Sequence, residues 1–236
     1  MDEGRTAGGS PGPRVTDPAA DAADTFAAAL TKQGITVSSV KAGRATKGVK
    51  KVAQVRSAPL EQIVQQLLLT SDNDAAEVLL RQVALASGRS GSSADGVRAV
   101  RARLTKLGVW DANARINDGS GLARQTTVPA DLLVDVLRVA ASPKHPELRG
   151  VLTGLPVAGV EGSLRARYDD TQTRVGRGVV RAKTGTLSKV HALAGYLRTA
   201  DGSQVAFAFV VNDADDDYAA QVWLDRVGAA LSRCGC

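Results

Sequence analysis

The apolar residues of this chain change their spacing along its length, and that change limits the folds the chain can adopt. Between residues 60 and 83 they recur at positions i, i+3, i+4 and i+7, which is the spacing of an amphipathic helix. After residue 179 the pattern becomes that of strands, with candidates at 179–184, 190–197 and 205–211. Helices followed by an antiparallel sheet predict an α+β domain.

Further local signals extend this assignment. Residues 19–32 are Ala-rich and predict a helix that ends at Gly34, and 97–107 and 129–139 predict two more helices. β-Branched residues predict strands at 35–40 and, more briefly, at 52–55. Asp201-Gly202 predicts a hairpin between the last two strands. The aspartates at 213–217 favour the start of a C-terminal helix, which we expect to pack on the sheet.

The chain is long enough, at 236 residues with 44% hydrophobic content, for one globular domain or two small ones. Its net charge of +6 comes from a cluster within residues 41–56, where six cations occur without an acid. With three Phe, three Tyr and two Trp in all, the chain has no series of aromatics between these cations to stack on bases. We therefore expect a solvated basic rim and no nucleic-acid partner.

Other features argue against metal and membrane sites. Cys234 and Cys236 are the only cysteines, and His145 and His191 have no neighbouring ligand, so we expect no metal and no cofactor. The two cysteines could form a strained disulfide or lie in a loose tail. Residues 1–20 lack the apolar run of a secretory signal peptide, and no later segment approaches a membrane span.

Two short polar stretches could carry chemistry. Ser71-Asp72-Asn73 interrupts two predicted helices, where its side chains could cap the second helix. The run from Arg181 to Leu187, RAKTGTL, offers a cation, hydroxyl groups for a carboxylate, and a glycine that does not block a ligand. Each stretch alone has an ordinary structural explanation. Together, Ser-x-Asn followed by Lys-Thr-Gly is the signature pair of active-site serine penicillin-binding proteins and β-lactamases.

Two further blocks narrow this assignment, namely DGSGL at 118–122 and PVAGVEGSL at 156–164. With four ordered blocks, residues 20–232 resemble the C-terminal half of the D-alanyl-D-alanine carboxypeptidase/endopeptidase branch of the low-molecular-mass penicillin-binding proteins, class C. The resemblance implies a β-lactamase/transpeptidase-like fold, present here as an incomplete domain. It also implies serine-type hydrolysis of peptidoglycan stem peptides through an acyl-enzyme, inhibition by β-lactams, and a location in the cell envelope or outside the cell.

The resemblance implies roles for individual residues as well. Ser71 would relay a proton toward the leaving group, Asn73 would bind a substrate amide, and Lys183 would supply positive potential. The backbone amide of Thr186 would contribute to an oxyanion hole, and Ser120 would line the cleft without a chemical step. The implied substrate-binding residues are Thr184, Gly185, Thr186 and Ser120.

The nucleophile is where this sequence departs from the family pattern. The family's Ser-x-x-Lys motif places lysine one helical turn beyond serine. The formal match here is Ser38-Ser39-Val40-Lys41, in a β-branched run where an extended backbone directs Ser38 and Lys41 to opposite faces. The nucleophile is therefore unassigned, with Ser38 and Lys41 as the remaining candidate pair, and we expect the chain to be inactive alone.

We expect three parts in the chain: a flexible segment at 1–20, the C-terminal portion of a penicillin-binding domain at 21–232, and a tail at 233–236. An N-terminal half carrying the nucleophile would then be a partner, whether the chain is a truncated product or one part of a split enzyme. Two alternatives stay open. One is a non-catalytic module that binds stem peptides or a partner protein, and the other is a β-lactamase, which the blocks at 118–122 and 156–164 favour less.

Overall fold

The computed structural model describes residues 15–44 and 47–235. The chain divides into two compact units, residues 1–57 and 58–236. In the first unit, helix α1 spans Pro18–Lys32, and the Asp17 carboxylate accepts hydrogen bonds from the first free amides of the helix. Gly34 follows the helix with φ of 80°, a conformation that glycine adopts without strain. The predicted helix and its stop are therefore confirmed.

The strands predicted at 35–40 and 52–55 are wrong. Both segments are without regular secondary structure, and the Val52 and Val55 side chains are 98% and 97% exposed. A β-branched run favours an extended backbone, but a strand also needs a neighbour to hydrogen-bond with its amides and carbonyls. No described strand pairs with either segment.

The second unit begins with helices, as the apolar spacing predicts. Its first helices, α2 and α3, meet at Ser71 and Asp72, and α4 packs against α3. Short 3₁₀ turns occur at Pro146–Leu148, Gly162–Leu164 and Arg174–Gly176. The helices are α2 Leu60–Thr70, α3 Asn73–Ala86, α4 Ser93–Lys106, α5 Ala130–Ala141, α6 Arg149–Thr153 and α7 Asp217–Leu231.

A three-stranded antiparallel sheet follows, in the order β1-β2-β3, with β1 at Arg181–Leu187, β2 at Val190–Arg198 and β3 at Gln204–Val211. A two-residue turn joins β1 to β2, and its second residue, Lys189, has φ of 63°. The hairpin predicted at Asp201-Gly202 joins β2 to β3. The outer edge of β3 has no partner strand among the described residues.

The core lies between the sheet and α7. Alternate residues of β2 are buried on one face, where Leu193 and Leu197 join Leu224 of α7 in one hydrophobic cluster. The opposite face of the sheet meets α5, and Tyr196 lines a cavity between the two. This arrangement of sheet, flanking helices and C-terminal helix confirms the predicted α+β class.

A buried ion pair ties α7 to the loop before β1. Arg167 donates two hydrogen bonds to the Asp225 carboxylate, at 3.0 Å from Nε and 2.6 Å from Nη2. Burial raises the pKa of Asp225, and the hydrogen bonds from Arg167 oppose that rise. Among the described residues, no helix combines the length and the apolar character needed to cross a membrane.

Candidate active site

The junction of α2 and α3 shows why the helix is interrupted at Ser71. Ser71 has φ of 59° and ψ of 47°, in the left-handed region, and its N–H closes α2 by donating to the Leu67 carbonyl. Asp72 then caps α3, because its carboxylate accepts from the amides of Asp74 and Ala75 at 3.0 and 3.1 Å. A strained conformation at a non-glycine residue is common at functional sites. The break leaves Ser71 and Asn73 close together at the end of one helix and the start of the next.

Lys183 of β1 reaches this junction from the sheet. Its Nζ donates to Ser71 Oγ at 2.7 Å and to the Thr184 carbonyl at 2.9 Å. The Lys183 side chain is largely enclosed, and burial lowers the pKa of its ammonium group. The fold thus joins the two polar stretches that the sequence singled out, although 112 residues separate Ser71 from Lys183.

The outer edge of β1 is covered at its start and open at its end. The Ala182 amide donates to the Pro156 carbonyl, and the Ala158 amide donates to the Val180 carbonyl, each at 2.9 Å. Because peptide groups two residues apart point to the same edge of a strand, the amides of Thr184 and Thr186 face this edge too. Thr186 is exposed, and no backbone bridge from the described residues extends this far along the edge.

Ser163 is a contact residue that the sequence did not identify. Its hydroxyl lies 2.8 Å from Thr184 Oγ1. The preceding Gly162 has φ of 61°, and a Cβ there would approach the Leu69 carbonyl oxygen to 2.6 Å, so glycine allows this turn to approach the end of α2. The PVAGVEGSL block contains Ser163, but its pairing with Thr184 follows only from the fold.

The other predicted residues lie as follows. Ser120 is in a tight turn beside α3, where its hydroxyl donates to Glu77 Oε1 at 2.7 Å. Ser38 and Lys41 are exposed in the first unit, and the residues around them form no helix, so the helical spacing of Ser-x-x-Lys is not present. Among the described residues, no group of three or more His, Cys, Asp or Glu could hold a metal ion.

The antiparallel sheet has helices on both faces, and the lysine of its edge strand is hydrogen-bonded to a serine at a helix junction. This combination defines a protein of the β-lactamase/transpeptidase-like fold. The sequence matches the model of the D-Ala-D-Ala carboxypeptidase 3 (S13) family over residues 6–230. The chain belongs to this family.

Individual relatives support the same assignment. Carboxypeptidase DacB of Mycolicibacterium smegmatis is 37% identical over 224 residues, which cover 94% of this chain and 48% of that protein. The D-alanyl-D-alanine carboxypeptidase of Actinomadura is 37% identical over 210 residues, covering 84% of this chain and 37% of that protein. The chain thus spans about half the length, or less, of these relatives.

Solved structures share the fold. Penicillin-binding protein 4 (dacB) of Haemophilus influenzae, in complex with a β-lactam, superposes with a TM-score of 0.78 at 29% identity. The match covers 94% of this chain and 53% of that one. The TLA-3 extended-spectrum β-lactamase, with a TM-score of 0.50 at 16% identity, is similar in fold alone.

Proposed function

We propose that this chain supplies the substrate-binding part of a serine-type D-Ala-D-Ala carboxypeptidase or endopeptidase site. Its ligand is the D-Ala-D-Ala end of a peptidoglycan stem peptide, and β-lactams compete for the same cleft. Since the stem peptide is part of the cell wall, we assign the chain to the cell envelope or the extracellular space.

The observation that carries this proposal is the 2.7 Å hydrogen bond from Lys183 Nζ to Ser71 Oγ. A serine hydroxyl that accepts from a lysine can donate its own proton to a leaving group, and the lysine can replace that proton. The lowered pKa of Lys183 favours such exchange, because it brings the neutral amine closer in energy to the ammonium. Asn73, beside Ser71, would bind a substrate amide.

The open part of the β1 edge is the proposed carboxylate and oxyanion site. The outward amide of Thr186 would donate to the developing oxyanion, and the Thr186 hydroxyl would donate to the terminal carboxylate. Gly185 leaves the backbone accessible, since it has no side chain toward the ligand. Thr184 takes part through its hydroxyl, which Ser163 holds in place.

Acylation requires a nucleophile, and no serine among the described residues has the helical placement of a Ser-x-x-Lys pair. Ser71 is the proton-relay serine in this proposal, and Ser38 lies in an exposed segment without the helix that a Ser-x-x-Lys pair needs. We therefore propose that the nucleophilic serine comes from residues outside this sequence, so that the chain alone binds ligands without turning them over.

Purified chain should bind diacetyl-L-Lys-D-Ala-D-Ala reversibly, as followed by calorimetry, and its intact mass should not change after incubation with a penicillin. Lys183→Ala should lose about tenfold or more in affinity, since it removes the positive charge that attracts the terminal carboxylate in a partly desolvated site. Lys144→Ala, an exposed lysine on the loop after α5, is the matched control and should bind as the wild type does.

The two halves of this proposal can fail separately. Equal affinity of Lys183→Ala and wild type would contradict the assigned binding site. A penicillin adduct, mapped by peptide analysis to Ser38 or another serine of this chain, would instead contradict the absence of a nucleophile.

A further inference from the structure

One carboxylate oxygen organises the turn that carries Ser120. Glu77 Oε1 accepts from the Gly119 amide at 3.0 Å, from the Ser120 amide at 2.9 Å and from Ser120 Oγ at 2.7 Å. Glu77 belongs to α3, and 43 residues separate it from Ser120. Three hydrogen bonds to one oxygen of the half-buried Glu77 tie this turn to a fixed point on the helix.

The turn is also held from within and packs closely on α3. The Asp118 carboxylate accepts from the amides of Gly121 and Ala123 at 3.0 and 2.6 Å. A Cβ at Gly119 would approach the Ala76 carbonyl oxygen to 2.6 Å, so a larger residue would force the turn away from the helix. The turn therefore has little freedom to move relative to α3.

The contact also fixes where Ser120 lies in relation to the candidate site. Asn73 and Glu77 are four residues apart on α3, and residues at this spacing are neighbours on one helix face. Because Glu77 holds Ser120 and also lies next to Asn73, the turn lies along the face of α3 that leads to the Ser71–Asn73 junction.

Within this network, the Ser120 hydroxyl donates its proton only to carboxylate oxygens. Its hydroxyl donates to Glu77 Oε1 at 2.7 Å, with Asp118 Oδ2 as a second acceptor at 3.3 Å. Both acceptors are carboxylates, which accept and do not donate when ionised. A hydroxyl has one proton and two lone pairs, so the Ser120 oxygen is left with lone pairs for a ligand.

We propose that Glu77 is a positioning residue that fixes Ser120 as a hydrogen-bond acceptor in the cleft. The cleft then selects a ligand that presents an amide N–H donor at Ser120, in preference to one that presents a carbonyl or an ether oxygen. This inference rests on the proposed function, because it assumes that a stem peptide occupies the cleft beside α3.

A set of ester-substituted peptides tests this selection. In each analogue of diacetyl-L-Lys-D-Ala-D-Ala, a single amide N–H is replaced by an ester oxygen, which removes a donor with little change in shape. Wild type should bind one analogue about tenfold more weakly than the parent peptide, because that is the loss in affinity expected when one hydrogen bond is removed from a partly buried site. In Ser120→Ala, the parent and that analogue should bind within about twofold of each other.

Variants of Glu77 separate positioning from general stability. Glu77→Ala should lose the same discrimination, whereas Glu77→Gln should keep it, because the amide oxygen can still accept from the turn. Amide hydrogen exchange at Gly119 and Ser120 should accelerate in Glu77→Ala and stay slow in Glu77→Gln. The control is Glu147→Ala, which removes an exposed glutamate of the Pro146–Leu148 turn.

The outcomes are distinct. Discrimination retained in Ser120→Ala would overturn the acceptor role of Ser120, and discrimination retained in Glu77→Ala would overturn the positioning role. If Glu77→Ala does not fold, loss of discrimination in Glu77→Gln while Gly119 exchange stays slow would overturn the positioning role. Wild type that does not bind the parent peptide would overturn the proposed function, and the acceptor role with it.

Discussion

Lys183 illustrates, at the scale of single residues, how burial prepares a group for proton transfer. Enclosure between β1 and the α2–α3 junction disfavours the charged ammonium, so its pKa lies below the ordinary value of 10.5. We expect the ¹³C shift of its Cε, followed by NMR, to titrate with a midpoint below that value. Because burial is the cause, Lys183 should still titrate below 10.5 in the Ser71→Ala variant.

A short lysine-containing peptide, titrated under the same conditions, provides the reference for this titration. A Lys183 midpoint at or above the ordinary lysine value would contradict the stated effect of burial. A midpoint that returns to the ordinary value only in Ser71→Ala would show that the serine contact, and not desolvation, sets the pKa.

Individual residues of the site were predictable from the sequence only in part. Ser71, Asn73 and Lys183 belong to short motifs whose spacing is visible in the chain. The contacts of Glu77 and Ser163 gave no such signal, because their partners lie 43 and 21 residues away and a polar residue in a turn or helix has many ordinary explanations. Such contacts become visible only when the fold brings the segments together.

At the scale of elements, one carboxylate joins α7 to the β1–β2 hairpin. Asp217 Oδ1 lies 2.9 Å from His191 Nε2 and accepts from the Lys189 amide at 2.8 Å. The pKa of Asp217 lies below its ordinary value of 3.8. The hydrogen bond with His191 is the largest cause, and the hydrogen bond from the Lys189 amide is the next. This link holds the turn that follows Thr186, and the turn is also held by Arg124, which donates to the Ser188 carbonyl.

The stabilisation from Asp217 should therefore depend on pH. A carboxyl whose pKa is lower in the folded state stabilises the fold above its unfolded pKa, and this contribution is lost as pH falls through the folded pKa. We expect Asp217→Asn to have a lower Tm than wild type at neutral pH. The gap should close as the pH falls from about 5 to about 2.

The matched control is Asp131→Asn, since Asp131 is likewise an exposed aspartate in the first turn of a helix. At neutral pH its Tm should lie closer to that of wild type than the Tm of Asp217→Asn does, because Asp131 does not join α7 to the hairpin. A gap for Asp217→Asn that stays constant down to about pH 2 would contradict the assigned link between α7 and the hairpin.

Helices and sheet strands were predicted more completely than the extended segments of the first unit. The i, i+3, i+4 spacing of α2 and α3 marks the apolar faces of these helices, and the hairpin signal at Asp201-Gly202 is local. A strand at 35–40 or 52–55 depends on a partner, which the local sequence does not specify. Local propensity therefore predicts the helices correctly, but it does not predict the structure of these two segments.

The molecule as a whole has an unprotected sheet edge. The outer edge of β3 is unpaired among the described residues, and its sequence, QVAFAFVV, contains no charged residue or proline. Natural proteins usually protect such edges with charges, prolines or bulges. Beside this edge, Phe209 packs edge to face on Trp223, whose side chain is 50% exposed. Apolar surface next to free backbone groups favours pairing with another chain.

We therefore expect the purified chain to self-associate through the β3 edge. Sedimentation velocity should show a concentration-dependent shift from monomer to larger species, which Val210→Lys, a charge placed on the edge strand, should reduce. Val78→Lys, at an exposed position on α3, is the control for added charge and should associate as the wild type does. A chain that stays monomeric at every concentration, or equal effects of both substitutions, would show that the β3 edge does not drive association.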